Sequence, residues 1–110
     1  MKILIVEDIS RWEQLIVQRL GKRAEISVVR SIGELEKMIT SGQKFFAVAL
    51  DGWLGGDSTL SFVPRLLGIS QIVISTSYDV RLRKKMIKAG CHRGGNKWDF
   101  VDLITEVLLQ

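Results

Sequence analysis

Five short apolar runs, each closed by a charged or hydroxyl residue, constrain this chain more than any other feature. Ile3-Leu4-Ile5-Val6 stops at Glu7-Asp8, and Phe45 to Leu50 stops at Asp51. Ile72-Val73-Ile74 leads into Ser75-Thr76-Ser77. Ile26-Ser27-Val28-Val29 ends at Arg30, and a weaker fifth segment closes at Lys97. Helical stretches separate the runs, so the chain reads as α/β with a parallel sheet. In such a sheet the strand C-termini share one rim, and ligands bind there. Three carboxylates, a hydroxyl and an ammonium, far apart in sequence, should therefore meet. Such a set suits a divalent cation and a phosphoryl group.

The helical segments carry start and stop signals. The first is predicted over about Arg11 to Leu20, with Ser10 and Glu13 as a capping box before it and Gly21 after it. Trp12, Leu15, Ile16 and Leu20 recur at helical spacing. The second starts after Ser31, with Glu34 completing another capping box and Leu35, Met38 and Ile39 as its buried stripe. Phe45 to Leu50 is apolar throughout, as a central strand covered on both faces requires. A glycine-rich loop, Gly52 to Gly56, follows, and then a short helix over roughly Ser58 to Leu67 that Pro64 makes imperfect. Asp57 is placed as the cap of that helix. Helix four runs over about Val80 to Ala89 and helix five over about Asp99 to Leu109. Between them Arg93-Gly94-Gly95-Asn96 takes the place of a fifth strand, although glycine and asparagine are disfavoured there. Trp12 and Trp98 are expected to pack helices one and five onto the sheet.

A chain of 110 residues supports one domain, here spanning 1–110. Hydrophobic content of 46% and charged content of 25% are ordinary for a soluble globular protein, and no apolar stretch approaches a membrane span. Met1-Lys2 leads straight into a strand, so no signal peptide is expected. The single cysteine, Cys91, makes no intramolecular disulfide and reads as a small buried residue. Cytoplasm is the expected location. The formal charge of +4 is a weak pointer to acidic partners, and no aromatic-basic motif supports nucleic acid. His92 has no ligand partner at metal spacing and reads as a surface residue.

Adjacent carboxylates at Glu7 and Asp8 repel unless a cation or solvent balances them. Their hard oxygens suit Mg²⁺, with Mn²⁺ able to substitute. Asp51, after the most hydrophobic strand, could ligate the metal, act as nucleophile or cap the following loop. Thr76 offers a hydroxyl and Lys97 an ammonium for phosphoryl oxygens.

Ile-Leu-Ile-Val-Glu-Asp at 3–8, Ala-Leu-Asp at 49–51, Ile-Ser-Thr-Ser at 74–77, and Lys-Ala-Gly-Cys at 88–91 followed by Lys97 resemble the receiver domain of two-component response regulators, across essentially the whole chain. The resemblance implies a flavodoxin-like, doubly wound, five-stranded parallel sheet of order 2-1-3-4-5 with helices on both faces. It implies that Asp51 is the phosphoacceptor, taking its phosphoryl group from a sensor histidine kinase or phosphotransfer protein. Asp8 then binds Mg²⁺ directly and Glu7 through water, while Asp51 and the Trp53 backbone carbonyl complete the protein ligands. Thr76 and Lys97 hold the phosphoryl oxygens, and Trp53 and Tyr78 flank the approach of water. It implies no enzyme activity beyond self-phosphorylation and slow autodephosphorylation.

The chain departs from the pattern at three places. Gly94 stands where receivers carry a switch aromatic, Trp98 where a proline follows the lysine, and Gly55 where a proline follows the aspartate. An alternative is a receiver-fold module that binds a protein partner without phosphorylation. A third class, a metal-dependent phosphohydrolase or topoisomerase-primase-like domain, needs another acid beside Asp51, and Gly52 and Trp53 supply none.

Overall fold

The structure, a computed structural model, describes residues 1–8 and 10–109, and of residues 10, 11 and 107–109 the backbone alone. The strands are β1 (Lys2–Val6), β2 (Glu25–Val29), β3 (Phe45–Leu50), β4 (Trp53–Leu54), β5 (Asp57–Ser58), β6 (Ser70–Ser75) and β7 (Arg93–Gly94). The α-helices are α1 (Ser10–Leu20), α2 (Ile32–Thr40), α3 (Val63–Leu67), α4 (Val80–Lys88) and α5 (Lys97–Leu109). Five strands form one parallel sheet in the order β2-β1-β3-β6-β7. Once the β4–β5 hairpin is set aside, this is the expected 2-1-3-4-5 order.

Period-two alternation sorts the strand residues between two cores. Leu4, Val6, Val48, Leu50 and Val73 face Leu35 of α2, Val63 and Leu66 of α3, and Leu82 and Met86 of α4. Ile3, Ile5, Ala47, Ala49 and Ile74 face Ile16 and Leu20 of α1 and Phe100, Val101 and Ile104 of α5. Cys91 is buried, and burial pushes its thiol up to about 11. Among the described residues no helix is long and apolar enough to cross a membrane.

Local signals explain most boundaries. Ser31 caps α2 by accepting the Glu34 N–H at 3.2 Å, but the Glu34 carboxylate reaches back to the Arg30 N–H at 2.6 Å, one residue beyond a strict capping box. The cap expected from Ser10 lies outside the described side chains. Pro64 sits in the first turn of α3, where its missing N–H costs nothing. The expected helix over Ser58 to Leu67 is shorter because a 3-10 turn, Leu60–Phe62, precedes α3.

Three expectations need correction. Gly52 to Gly56 is not simply a loop: Trp53 pairs with Ser58 and Leu54 with Asp57 across a Gly55-Gly56 turn with φ of 60° and 88°. Two residues at positive φ between antiparallel strands make the turn a two-glycine hairpin. Asp57 therefore belongs to β5, exposed, and caps nothing; Ser58 Oγ accepts the Leu60 N–H at 3.2 Å instead. The fifth strand is also shorter than Arg93 to Asn96. Asn96 and Asp99 exchange reciprocal side-chain to backbone bonds of 2.9 Å, so Asn96 starts α5 rather than ending β7. His92 is exposed as expected, yet its Nδ1 accepts the Val73 N–H at 3.0 Å.

Candidate functional site

The parallel ladder sets the site. Val6, Leu50, Ser75 and Gly94 stand side by side in register. Backbone bonds continue one residue past them: Glu7 N–H to Val29 O (3.0 Å), Asp51 N–H to Val6 O (3.1 Å), Thr76 N–H to Leu50 O (2.9 Å) and Gly95 N–H to Ser75 O (3.0 Å). Glu7, Asp51 and Thr76 thus form one row along the rim, with Lys97 two residues beyond Gly95. The apolar runs of β1, β3 and β6 hold this polar row in place: each of these strands is buried up to its last residue.

Glu7, Asp8 and Asp51 bring carboxylate oxygens within 4.8 Å of one another. Glu7 is buried, Asp51 partly buried and Asp8 exposed. Lys97 Nζ lies 2.8 Å from Glu7 Oε2 and 4.0 Å from Asp51 Oδ2, and its side chain is buried. Thr76 is also buried. Burial pushes the Asp51 carboxyl above its ordinary value, and nearby Asp8 adds to this. Lys97, a side-chain hydrogen bond with Glu7 and the Gly52 N–H pull the other way without prevailing. The donor set is all oxygen, crowded and with an open side at Asp8, which fits a hard divalent cation.

Residues that sequence reasoning passed over support this set. Thr59 is fully buried, and its Oγ1 donates to Asp51 O at 2.6 Å, fixing the backbone turn after the acid. The Gly55 N–H reaches Asp8 Oδ2 at 3.4 Å, so the hairpin touches the acid cluster. No sequence pattern distinguishes Thr59 from any loop threonine, whereas Gly55-Gly56 between two short runs is a readable turn signal.

The aromatic residues divide differently from expectation. Tyr78 is 62% exposed, and Lys97 Nζ lies 4.5 Å from its ring centroid. Trp53 is 46% exposed, and its Nε1 donates to Asp79 Oδ2 at 3.3 Å at the start of α4. Trp12 and Trp98 meet each other edge to face, with centroids 5.8 Å apart, at the α1–α5 seam rather than both lying on the sheet.

No protein-family model matches the chain, and no curated protein matches it. Solved structures do. A two-component response regulator from Clostridium difficile superposes with a TM-score of 0.79 at 14% identity, covering 99% of this chain and 95% of that one. A response regulator from Burkholderia pseudomallei, solved with a phosphorylated aspartic acid, calcium ion and citrate, gives 0.72 at 18% identity over 91% of this chain. The chain spans 64% of that protein's length. The chain has the receiver-domain fold. A protein described as adenylate cyclase from Rhodopirellula baltica shares this receiver fold too, with a TM-score of 0.72 at 17% identity, covering 99% of this chain and 97% of that one. The receiver fold alone therefore does not name an activity.

Proposed function

We propose that this receiver-fold chain is a phosphoacceptor of a two-component phosphorelay, with Asp51 as the acceptor. The observation that carries the reading is the junction of Glu7, Asp8, Asp51, Thr76 and Lys97 at one rim, with Lys97 Nζ 4.0 Å from Asp51. Asp51 Oδ attacks phosphorus, and the bond to the donor's leaving atom breaks. That atom, a kinase or phosphotransfer-protein histidine nitrogen or the oxygen of a small phosphodonor, keeps the electron pair. Lys97 and Thr76 then hold the phosphoryl oxygens by charge-assisted hydrogen bonds, the first with both partners ionised and the second with the acceptor alone ionised. Asp8, Asp51, the Trp53 carbonyl and, through water, Glu7 are the residues that would hold Mg²⁺. When bound, Mg²⁺ neutralises charge on the phosphoryl oxygens and on the crowded acids. Loss of the phosphoryl group is attack by water on phosphorus with cleavage of the Asp51 Oδ–phosphorus bond, which releases inorganic phosphate and returns the carboxylate, and the chain acts as no enzyme on other molecules. Incubation with acetyl phosphate, with and without Mg²⁺, followed by intact mass measurement, tests this. One added phosphoryl group, only with Mg²⁺, is expected; no gain under any phosphodonor would sink the reading.

Water access should depend on Tyr78 more than on Trp53. Tyr78 covers Lys97, whereas Trp53 is tied to Asp79. Tyr78→Glu should shorten the phosphoryl half-life severalfold, and Trp53→Asn should change it less. Half-lives measured by mass decide; an unchanged half-life in Tyr78→Glu would refute shielding by this ring.

One observation favours the second reading, a partner-binding module that does not use phosphorylation. A Cβ built on Gly94 would lie 2.8 Å from Arg83 Cγ and 2.9 Å from Ile87 Cδ1. The α4 side chains already occupy the space over Gly94, and Arg83 Nη1 donates to Ser77 O at 3.3 Å. Rotation of a ring at this position cannot report phosphorylation. A switch must work by ordering the segments at 76–79 and 94–96. Hydrogen exchange with and without beryllofluoride is expected to show added protection in both. Unchanged protection with the mimic bound would favour the module.

A further inference from the structure

Lys97 has more neighbours than its two carboxylates. Its Nζ lies 5.3 Å from the Trp12 ring centroid and 4.5 Å from that of Tyr78, both within cation–π range. Trp12 meets Trp98 at an interplanar angle of 81°, and the Arg19 guanidinium lies 5.7 Å from the Trp98 centroid. The groups alternate between helices: Arg19 from α1, Trp98 from α5, Trp12 from α1, Lys97 from α5, and finally Tyr78 from the loop before α4. The space enclosed by Trp12, Lys97, Glu7, Thr76 and the sheet is about 10 Å³, room for one water at most. The ammonium has therefore exchanged most of its water for two ring faces and two acids.

We propose that Trp12 is a positioning residue of the site: with Tyr78 it brackets the Lys97 ammonium between Glu7 and Asp51, and Trp98 and Arg19 hold Trp12 there. The proposal rests on the phosphoacceptor reading above for its consequence and on the ring geometry for its substance. Ring faces attract a cation over a broad area, whereas a carboxylate binds it along directed hydrogen bonds. A bracket of two rings thus lets the ammonium pass from Glu7 toward an oxyanion on Asp51 without rehydration. It also gives Trp98, which stands where the resembled family has proline, a role on this chain: it is the ring against which Trp12 rests.

Two readouts test the idea. The first is the chemical shift of the Lys97 ε-methylene protons, which rings at these distances displace upfield. Trp12→Leu should move those protons toward the value of an exposed lysine, and Trp12→Phe should restore part of the displacement. The second is the affinity for beryllofluoride with Mg²⁺, measured by fluorine NMR. It should fall about tenfold in Trp12→Leu, as the loss of one desolvated cation–π contact implies, and recover in Trp12→Phe. Trp98→Leu should weaken affinity by a smaller factor. Wild-type ε-methylene protons at ordinary shifts would overturn the proposal even if Trp12→Leu failed to fold. So would unchanged beryllofluoride affinity in a folded Trp12→Leu protein. If the wild type binds no beryllofluoride, the phosphoacceptor reading falls, while the Lys97 shifts still decide whether the bracket exists.

Discussion

Asp51→Asn should take up no phosphoryl group from acetyl phosphate, and the metal-free variant should melt at a higher temperature than the wild type at pH 7. The first effect follows from chemistry, because a neutral amide is a far poorer nucleophile than a carboxylate. The second follows from the environment. Burial raises the Asp51 carboxyl above its ordinary value in the folded state, more than Lys97, Glu7 and the Gly52 N–H lower it. As pH rises from the ordinary carboxylate value to the raised one, the folded state retains a proton that the unfolded state has lost. Stability contributed by the protonated acid is full below the ordinary value and declines as pH rises through that window. At neutral pH the ionised Asp51 is thus a cost that asparagine removes. The advantage of the variant should shrink as pH falls toward 4. Mg²⁺ should reverse the order, raising the wild-type melting temperature in proportion to the logarithm of its concentration above Kd and the variant's less. Intact mass spectrometry and thermal melts with chelator or Mg²⁺ measure both effects. Phosphate of equal mass on both proteins would remove Asp51 from the role of acceptor. A metal-free variant less stable than the wild type at pH 7 would show that burial does not dominate at this carboxylate.

The strand ends were legible because burial and charge change sharply there. Val6 and Leu50 are buried, and Glu7 and Asp51 follow them directly. A parallel ladder then turns sequence order into spatial convergence with little freedom left. The strand order was readable through resemblance, and the register that puts Val6, Leu50 and Ser75 in one row agrees with it. What stayed hidden was chemistry between elements. Asn96 reads as a poor strand residue because its partner, Asp99, lies in the next helix, where the two cap each other reciprocally. The contact between Trp12 and Trp98 depends on how α1 and α5 lie side by side, which no local pattern states. Nothing local to α4 states that Arg83 lays its stem on Gly94 and reaches Ser77, where Gly94 leaves the space for it. Small residues announce that something approaches, but not what.

Gly52→Ala should be the most damaging of the small substitutions near the site. No positive φ is recorded at Gly52, so the demand is steric. A Cβ there would lie 2.4 Å from Ser77 Oγ, 2.8 Å from Ser77 Cβ and 2.6 Å from Leu82 Cδ2. None of these atoms yields easily. Ser77 is buried and its Oγ accepts the Asp79 N–H at 3.2 Å, while Leu82 belongs to the core beneath α4. Gly52 is held as well, its carbonyl accepting the Thr59 N–H at 2.9 Å. Overpacking of this kind costs about 1–3 kcal/mol, to be read from urea unfolding. Ser77→Gly removes two of these three atoms and leaves only Leu82 Cδ2, so the double variant should recover part of the loss, with a coupling of at least ~0.5 kcal/mol. Gly33→Ala in α2 is the control. Its Cβ would meet nothing nearer than Ser31 Oγ at 4.0 Å, and alanine's helix preference should stabilise the protein by up to about 1 kcal/mol. The site should suffer beyond stability, because pushing Ser77 displaces Thr76, its neighbour in the row that receives the phosphoryl group. Phosphorylation of Gly52→Ala should therefore slow even at temperatures where the variant is fully folded. A wild-type urea midpoint for Gly52→Ala would mean that the β6–α4 loop does not rest on Gly52.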